Sequence, residues 1–499
     1  MREREHLSRL RVLGCLCVLA VAGCAVGPNY HPPQSSPPSA WYGPTTQMSL
    51  AASQQAELVH WWTTFGDSTL TSLVDRSVMS NLDLRQAKAR IRQARAARGV
   101  AAGGLWPTVD ATGSYTRSRS VAPSSVGTVA ATGDLFHAGV DAAWELDVFG
   151  GVRRTIEAAE ADLQASVEDH RDTLVTLVAE VALNYVDLRG FQQEILIAQN
   201  NLRAQQHNAE LTRKRYMAGF IGALDVANAN AQVATTASQI PVFEASAQQA
   251  IYSLGVLLAL EPSALVEELS PLSSIPAAPP EVPMLLPADL LLRRPDVRRA
   301  EAQIHGATAR IGVATADLFP RFNLTGSAGF RGDAINEWLK WSNRVWSFGP
   351  AMDWQIFSAG RVTSNIELQR AIQEEAFLAY QKVVLTAFQD VENSLVTYAK
   401  EQERRKALLE AVTANRKAVD LATQLYIQGE TDFLNVLNAQ RSLYVSEDAL
   451  VQSTRNLSTG LVALYKALGG GWDIESKADD SLEVDRGGLK TSPASQVVP

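Results

Sequence analysis

Side chains able to do chemistry are few in this sequence and are not spaced for catalysis. Seven histidines, His6, His31, His60, His137, His170, His207 and His305, are scattered with no metal-ligand spacing. There is no Gly-x-Ser-x-Gly nucleophile turn, no phosphate loop and no metal motif. Glu180 and Asp390 occupy equivalent places in an internal repeat, but one carboxylate pair on heptad helices reads more simply as packing or a solvated face. An enzyme is therefore not expected, nor a metal. The three cysteines are Cys15, Cys17 and Cys24. Cleavage in front of Cys24 would leave one thiol, which excludes an intramolecular disulfide and a Cys-based metal site.

Cys24 is the residue with the clearest chemical assignment. Arg2, Arg4, Arg9 and Arg11 precede an apolar run from Val12 to Ala22, the pattern of an export signal. Val21-Ala22-Gly23-Cys24 resembles a bacterial lipobox, in which the cysteine receives acyl chains and becomes the new N-terminus. Ordinary cleavage with an unmodified Cys24 is the alternative. Several acyl chains anchor firmly where one anchors marginally, so the expected prosthetic group is a covalent lipid on Cys24 and there is no other cofactor. Ala25, rather than an acidic residue, resembles lipoproteins sorted to an outer membrane. Losing the four arginines and two glutamates of the leader takes the net charge from -8 to -10, which makes nucleic acid an unfavourable partner.

The remaining polar constellation occurs twice. Tyr216-Met-Ala-Gly219-Phe-Ile-Gly-Ala-Leu224-Asp225-Val226-Ala-Asn228-Ala229 reappears as Tyr426-Ile-Gln-Gly429-Glu430-Thr-Asp432-Phe-Leu434-Asn435-Val436-Leu-Asn438-Ala439. Other segments keep nearly the same offset: Asp83-Leu-Arg85-x-Ala87 answers to Asp296-Val-Arg298-x-Ala300, and Leu105-Trp-Pro107 answers to Leu318-Phe-Pro320. One unit joined head to tail explains these matches. Gly219 and Gly429 stand where a helix must end and the chain reverse, since glycine accepts the left-handed conformation. Asp432 and Asn435 also suit the start of the next helix.

The elements that would position these motifs follow from periodicity. From Ile156 the positions Ala159, Leu163, Val167, His170, Leu174, Leu177, Val181, Tyr185 and Leu188 step by threes and fours, and no Pro interrupts from Gly151 to Gly219. Such a helix would be ~100 Å long. The expected organisation is a signal peptide (1–23), a lipidated Pro-rich tether (24–57), a first repeat (58–270), a Pro-rich linker (271–287), a second repeat (288–471) and a tail with little order (472–499). The first repeat holds a helix over about 68–105, strands at ~108–119 and ~134–148, a long helix at ~151–218 and another at ~222–260. The second holds a helix, strands at ~321–331 and ~344–357, a long helix at ~361–428 and another at ~432–468. In each repeat the two shorter helices, stacked end to end, match the long one in length and would be its antiparallel partner.

The strands alternate. Phe136, Ala138, Val140, Ala142, Trp144, Leu146 and Val148 oppose His137, Gly139, Asp141, Ala143, Glu145 and Asp147; Trp346, Phe348, Pro350, Met352, Trp354 and Ile356 oppose Val345, Ser347, Gly349, Ala351, Asp353 and Gln355. A half-buried soluble sheet gives this alternation, and so does a membrane β-barrel. Beyond the leader no stretch approaches the ~20 apolar residues of a spanning helix. Four strands cannot close a barrel and bare edges are not tolerated in lipid, so a barrel needs several chains. Eight strands leave an interior filled by side chains, which favours three chains or more for an open channel.

The lipobox, Leu292-Arg-Arg-Pro295-Asp296-Val297-Arg298-x-Ala300-Glu301, the paired Leu-x-Pro segments and Tyr426-x-x-Gly429 through Leu443 together resemble the TolC-like outer-membrane factors, lipoprotein branch, which serve resistance-nodulation-division (RND) efflux systems. The resemblance covers Cys24 to about Gly471. It implies a mainly α fold with β: long antiparallel helical hairpins forming an α-barrel tunnel, and four strands per chain contributing to a trimeric, twelve-stranded transmembrane β-barrel. It implies a passive duct from the periplasm through the outer membrane of a Gram-negative bacterium, lipid-anchored and docked to a periplasmic adaptor (membrane fusion) protein and an inner-membrane RND transporter. A duct for type I protein secretion shares the architecture and is the alternative. In the family acidic rings narrow the periplasmic entrance, and a Tyr and an Asp help tie neighbouring hairpins shut. Tyr426 and Asp225 match the tying positions. Asn435 and Asn438 stand where some members are acidic, leaving Asp432 and Glu430 as the candidates for a charged ring.

Overall fold

The computed structural model describes residues 25–34, 37–43, 48–49, 58–124, 127–277, 282–283 and 287–472. The expected signal peptide, the lipid site Cys24 and the tail from residue 473 onward lie outside the described residues.

Helices α1 (Ser68–Ser80) and α2 (Leu82–Gly103) lead into strands β1 (Thr108–Ser124) and β2 (Gly127–Leu146), the long helix α3 (Gly151–Met217) and α4 (Ala223–Leu257). The same order returns as α5 (Pro287–Arg293), α6 (Pro295–Ala316), β3 (Arg321–Gly332), β4 (Arg344–Asp353), α7 (Arg361–Gln428) and α8 (Phe433–Ala467). The fold is thus mainly helical with one antiparallel sheet in the order β1-β2-β3-β4. The contacts divide the chain into two units that cut across the two sequence copies: Met1–Ser36, Gln86–His170 and Asp296–Thr386 in one, Pro37–Arg85, Arg171–Pro295 and Ala387–Pro499 in the other.

The first unit carries the sheet. Val109, Tyr115, Val140, Trp144, Trp346, Phe348 and Met352 are exposed along it, while the opposite face carries Asp141, Ser327 and Ser347 in one cross-strand row. The β1–β2 ladder continues to the pair Ser124↔Gly127, beyond the expected 108–119 and 134–148, because alternation fades in the Ser- and Thr-rich stretch while backbone pairing does not. Strand β4 stops at Asp353, opposite Arg321, rather than at 357. Trp354 therefore leaves the ladder, and its indole donates to the Leu318 carbonyl at 3.1 Å, as the Trp144 indole does to Leu105 at 2.9 Å. The two Leu-x-Pro motifs are acceptors for these indoles. Among the described residues no single helix is long and apolar enough to cross a membrane.

The expected tether is a fitted strap. Residues 25–34 form no helix or strand, yet Val26 N–H donates to Phe149 O at 3.0 Å. Arg154, almost fully buried, donates to Val26 O at 3.2 Å and to Asn29 Oδ1 at 2.7 Å. Tyr30 stacks on His305 at 4.3 Å and donates to Glu301 at 3.1 Å. The reason is steric as well as polar: a Cβ on Gly27 would lie 2.5 Å from Gly312 Cα, so the strap lies directly on backbone. In the second unit, Tyr42 and Gly43 N–H donate to the two oxygens of Glu392 at 2.8 and 2.9 Å.

Both helices expected before the strands are broken in two, at Asn81 and before Pro295. In the second unit these breaks meet the carboxyl ends of α4 and α8, as the end-to-end stacking requires. Asn81 caps α2 by accepting from Asp83 and Leu84 N–H at 2.8 and 3.1 Å, and its amide donates to Leu257 O at 2.9 Å. In the other copy Arg293 donates to Gly469 O and Trp472 O, both at 3.1 Å, and Arg294 to Ala467 O at 3.0 Å. A cation at a helix carboxyl end meets orphan carbonyls and the negative end of the dipole. The Arg-Arg-Pro-Asp motif therefore closes this junction.

A buried charged seam between α3 and α8 makes stability depend on pH. The Arg455 side chain crosses Gly190, where a Cβ would sit 2.5 Å from Arg455 Cδ. It lies over Phe191 at 4.9 Å and reaches Glu194 at 3.5 Å and Asp187 at 3.7 Å. Burial, opposed by Arg455 and reinforced by Asp448 and Asp187, pushes the Glu194 carboxyl up to about 7. A carboxyl raised on folding stabilises fully below its unfolded value and loses that contribution as pH rises through the folded one. The purified protein should therefore melt at lower temperature at about pH 8 than at about pH 5. Glu194→Gln should flatten that difference in thermal melts, and an unchanged slope in the variant would exclude Glu194 as its source.

Candidate functional site

The two glycine turns have the same construction. Gly219 adopts φ +78° and Gly429 φ +83°. Gly219 N–H donates to Tyr216 O at 2.9 Å and Phe220 N–H to Arg215 O at 3.0 Å; Gly429 N–H donates to Tyr426 O at 3.1 Å and Glu430 N–H to Leu425 O at 2.9 Å. Each is a Schellman ending, in which a left-handed glycine lets two amides satisfy carbonyls of the last turn. Helices α4 and α8 each restart four residues after the glycine, so both turns are hairpin tips of the second unit.

Past the turns the copies diverge. Helix α4 is capped by Gly222 and α8 by Asp432, so Asp225 and Asn435 hold the same third position of their helices. Asp432 stands at the N-cap, but its carboxylate makes no cap hydrogen bond and is exposed. Asn435 donates to Thr431 Oγ1 at 2.8 Å. Glu430 and Asn438 are exposed, and Asp225 is half-buried in the first turn of α4. There the helix dipole favours a carboxylate. The tip of the second hairpin thus presents two solvated carboxylates and two amides within nine residues of sequence.

Tyr426 is only 3% exposed, whereas its counterpart Tyr216 is 45% exposed. It packs with Ala229, Phe433, Val436 and Leu437, against Ala209, Leu211 and Ala422, so both hairpins of one chain contribute to one small core. Its ring lies 5.6 Å from that of Phe433. Its hydroxyl is buried with no hydrogen-bond partner, so within this chain it does not tie to Asp225. The group that does hold Tyr426 is Arg215, from the last turn of α3. Its guanidinium stacks over the ring at 4.4 Å and donates to the Tyr426 carbonyl. Arg215 belongs to no motif in the sequence, and its one local signal is in the repeat: its counterpart is Leu425, a cation against an apolar residue. No group of three or more potential metal ligands occurs among the described residues.

The sequence profile of the outer membrane efflux protein family matches residues 73–259 and 286–470. A nodulation protein T of Rhizobium leguminosarum bv. trifolii is 32% identical over 464 residues, 92% of this chain and 97% of that protein. The pyoverdine export outer membrane protein OpmQ of Pseudomonas aeruginosa is 33% identical over 443 residues, 88% of this chain and 92% of that protein. Among solved structures, the outer-membrane channel OprN aligns with a TM-score of 0.83 at 35% identity, covering 90% of this chain and all of that one.

Proposed function

Because the chain belongs to the outer membrane efflux protein family, we propose that it is the outer-membrane channel of a tripartite efflux system, a passive duct for small toxic compounds. The observation that carries this reading is the sheet: four strands with β1 and β4 as open edges and an apolar band along one face, borne by helices of 67 and 68 residues. Bare edges are not tolerated in lipid, so further copies complete the barrel. Three copies give twelve strands, and six helical hairpins form the tunnel across the periplasm. The repeated order of elements supports an internal duplication, which makes those six hairpins quasi-equivalent. Energy and substrate choice come from an inner-membrane RND transporter linked through a periplasmic adaptor. The relative named for pyoverdine export supports small-molecule cargo over secreted protein. Acyl chains on Cys24 anchor the chain, and the strap from residue 25 fits it closely to the body.

The hairpin tips form the periplasmic aperture. Three copies of the solvated Asp432 carboxylate, with Glu430 beside it, attract cations near the axis, while Asn435 and Asn438 narrow the passage without charge. Asp225 and Tyr426 flank the same opening. The test is to delete the gene and measure susceptibility to dyes, antibiotics and metals alongside conductance of the purified protein in planar bilayers. Unchanged susceptibility together with absence of any conductance would overturn the assignment. Asp432→Asn should lower the cation-to-anion permeability ratio about threefold or more, read from reversal potentials in a salt gradient. A ratio equal to wild type would remove Asp432 from the aperture.

A further inference from the structure

The geometry points to Arg215 as the clasp that holds the two hairpins of one chain together at their tips, working through the ring and main-chain carbonyl of Tyr426 and not through its hydroxyl. This rests on reading the tips as the aperture. With Gly429 as a close neighbour, two contacts converge on the guanidinium. It lies over the Tyr426 ring at 4.4 Å, donates to the Tyr426 carbonyl, and comes within 4.0 Å of where a Cβ on Gly429 would stand. It therefore sits on the carboxyl end of α7, where the dipole and the second lone pair of a carbonyl that also accepts from Gly429 N–H both favour a cation.

The rest of the seam is poorly suited to hold by itself. Three of its eight apolar members are the alanines Ala209, Ala229 and Ala422, which bury little surface. It also encloses the Tyr426 hydroxyl without a partner, and a buried unsatisfied hydroxyl works against the closed arrangement. Swinging the tips apart would return that hydroxyl to water. The clasped state is thus opposed by one group of Tyr426 and maintained by Arg215 acting on two others, a balance that an adaptor or pump could tip with modest force. Because its counterpart in the repeat is Leu425, the clasp is supplied by the first hairpin alone.

The sign of one substitution separates this arrangement from a tie made through the hydroxyl. The full-length purified protein would be compared with Arg215→Ala, Arg215→Gln and Tyr426→Phe in planar bilayers, with thermal melts alongside. Arg215→Ala should raise the open fraction about tenfold, and Arg215→Gln, which keeps a polar donor on a shorter stem but loses the charge, should fall between it and wild type. Tyr426→Phe should leave the pore as closed as wild type or more so, and melt no lower. An open fraction in Tyr426→Phe as high as in Arg215→Ala would overturn the proposal in favour of a hydroxyl tie. A wild-type open fraction in both Arg215 variants, with or without a lowered melting temperature, would reduce Arg215 to a structural contact. If Asp432→Asn still alters selectivity in that case, the aperture reading survives the loss of the clasp; if it does not, both fail.

Discussion

Gly329→Val should abolish assembly of the channel in the outer membrane and with it efflux. Gly329 pairs directly with Gly139 in the ladder between β2 and β3. A Cβ there would stand 2.5 Å from Ala138 O and 2.7 Å from Gly139 Cα, and a Cβ on Gly139 would stand 2.8 Å from Ala328 O. Every obstructing atom is backbone, so no rotamer change makes room. The β2–β3 ladder is also what joins the hairpin of the first copy to that of the second. Forcing it apart leaves two separate hairpins, which are marginal alone, and creates two new unpaired edges. The cost should exceed about 4 kcal/mol. Gly326→Ala supplies the control, because a Cβ there meets Phe348 Cδ2 at an ordinary 3.6 Å. The measurement is the heat-labile oligomer extracted from outer membranes, with antibiotic susceptibility alongside. Valine variants that assemble at wild-type levels would show that the β2–β3 approach is not tight in the membrane.

The second large effect belongs to Arg293. It is 4% exposed and bridges the Gly469 and Trp472 carbonyls. The helix it closes, α8, is followed by Gly469, φ +68°, with Gly470 N–H returning to Tyr465 O at 2.9 Å. Arg171 stacks over the Trp472 ring at 4.8 Å, so the segment after α8 is held from both sides. Arg293→Ala would leave two carbonyls buried without this donor, at a cost of about 3–5 kcal/mol. Lysine should rescue little, since a point ammonium does not reproduce a planar fork that spans two acceptors. Thermal melts of the purified protein in detergent read both variants. A lysine variant as stable as wild type would mean that charge alone, and not the fork, closes the junction.

Much of the architecture was legible because long regular elements repeat their signal many times. The period of three to four positions recurs from Ile156 to Leu188, no Pro interrupts the 67 residues of α3 or the 68 of α7, and each of the four strands alternates well enough to be placed. Breaks inside a helix were not legible. Across Asn81 and the Arg294-Pro295 step the apolar spacing continues, and only the end of α4 or α8 arriving from elsewhere in the chain stabilises the interruption. The Pro-rich segment after Cys24 reads as a free tether because composition reports low helix and strand propensity. The seat of its Gly27 and Val26 on Gly312 and Arg154 depends on residues more than 100 positions away.

The tips show the same division. The sequence by itself determined that both hairpins reverse at a glycine, that Asp432 and Asn435 open α8, and that the copies differ in charge there, because turns and caps are local and the repeat allows direct comparison. Only the tertiary structure decided that Tyr426 is buried while Tyr216 is not, and that Arg215 grips its ring and carbonyl. Helical periodicity places a residue on a face of its own helix, but which foreign helix covers that face is set by packing between segments over 200 residues apart, and no local pattern encodes it.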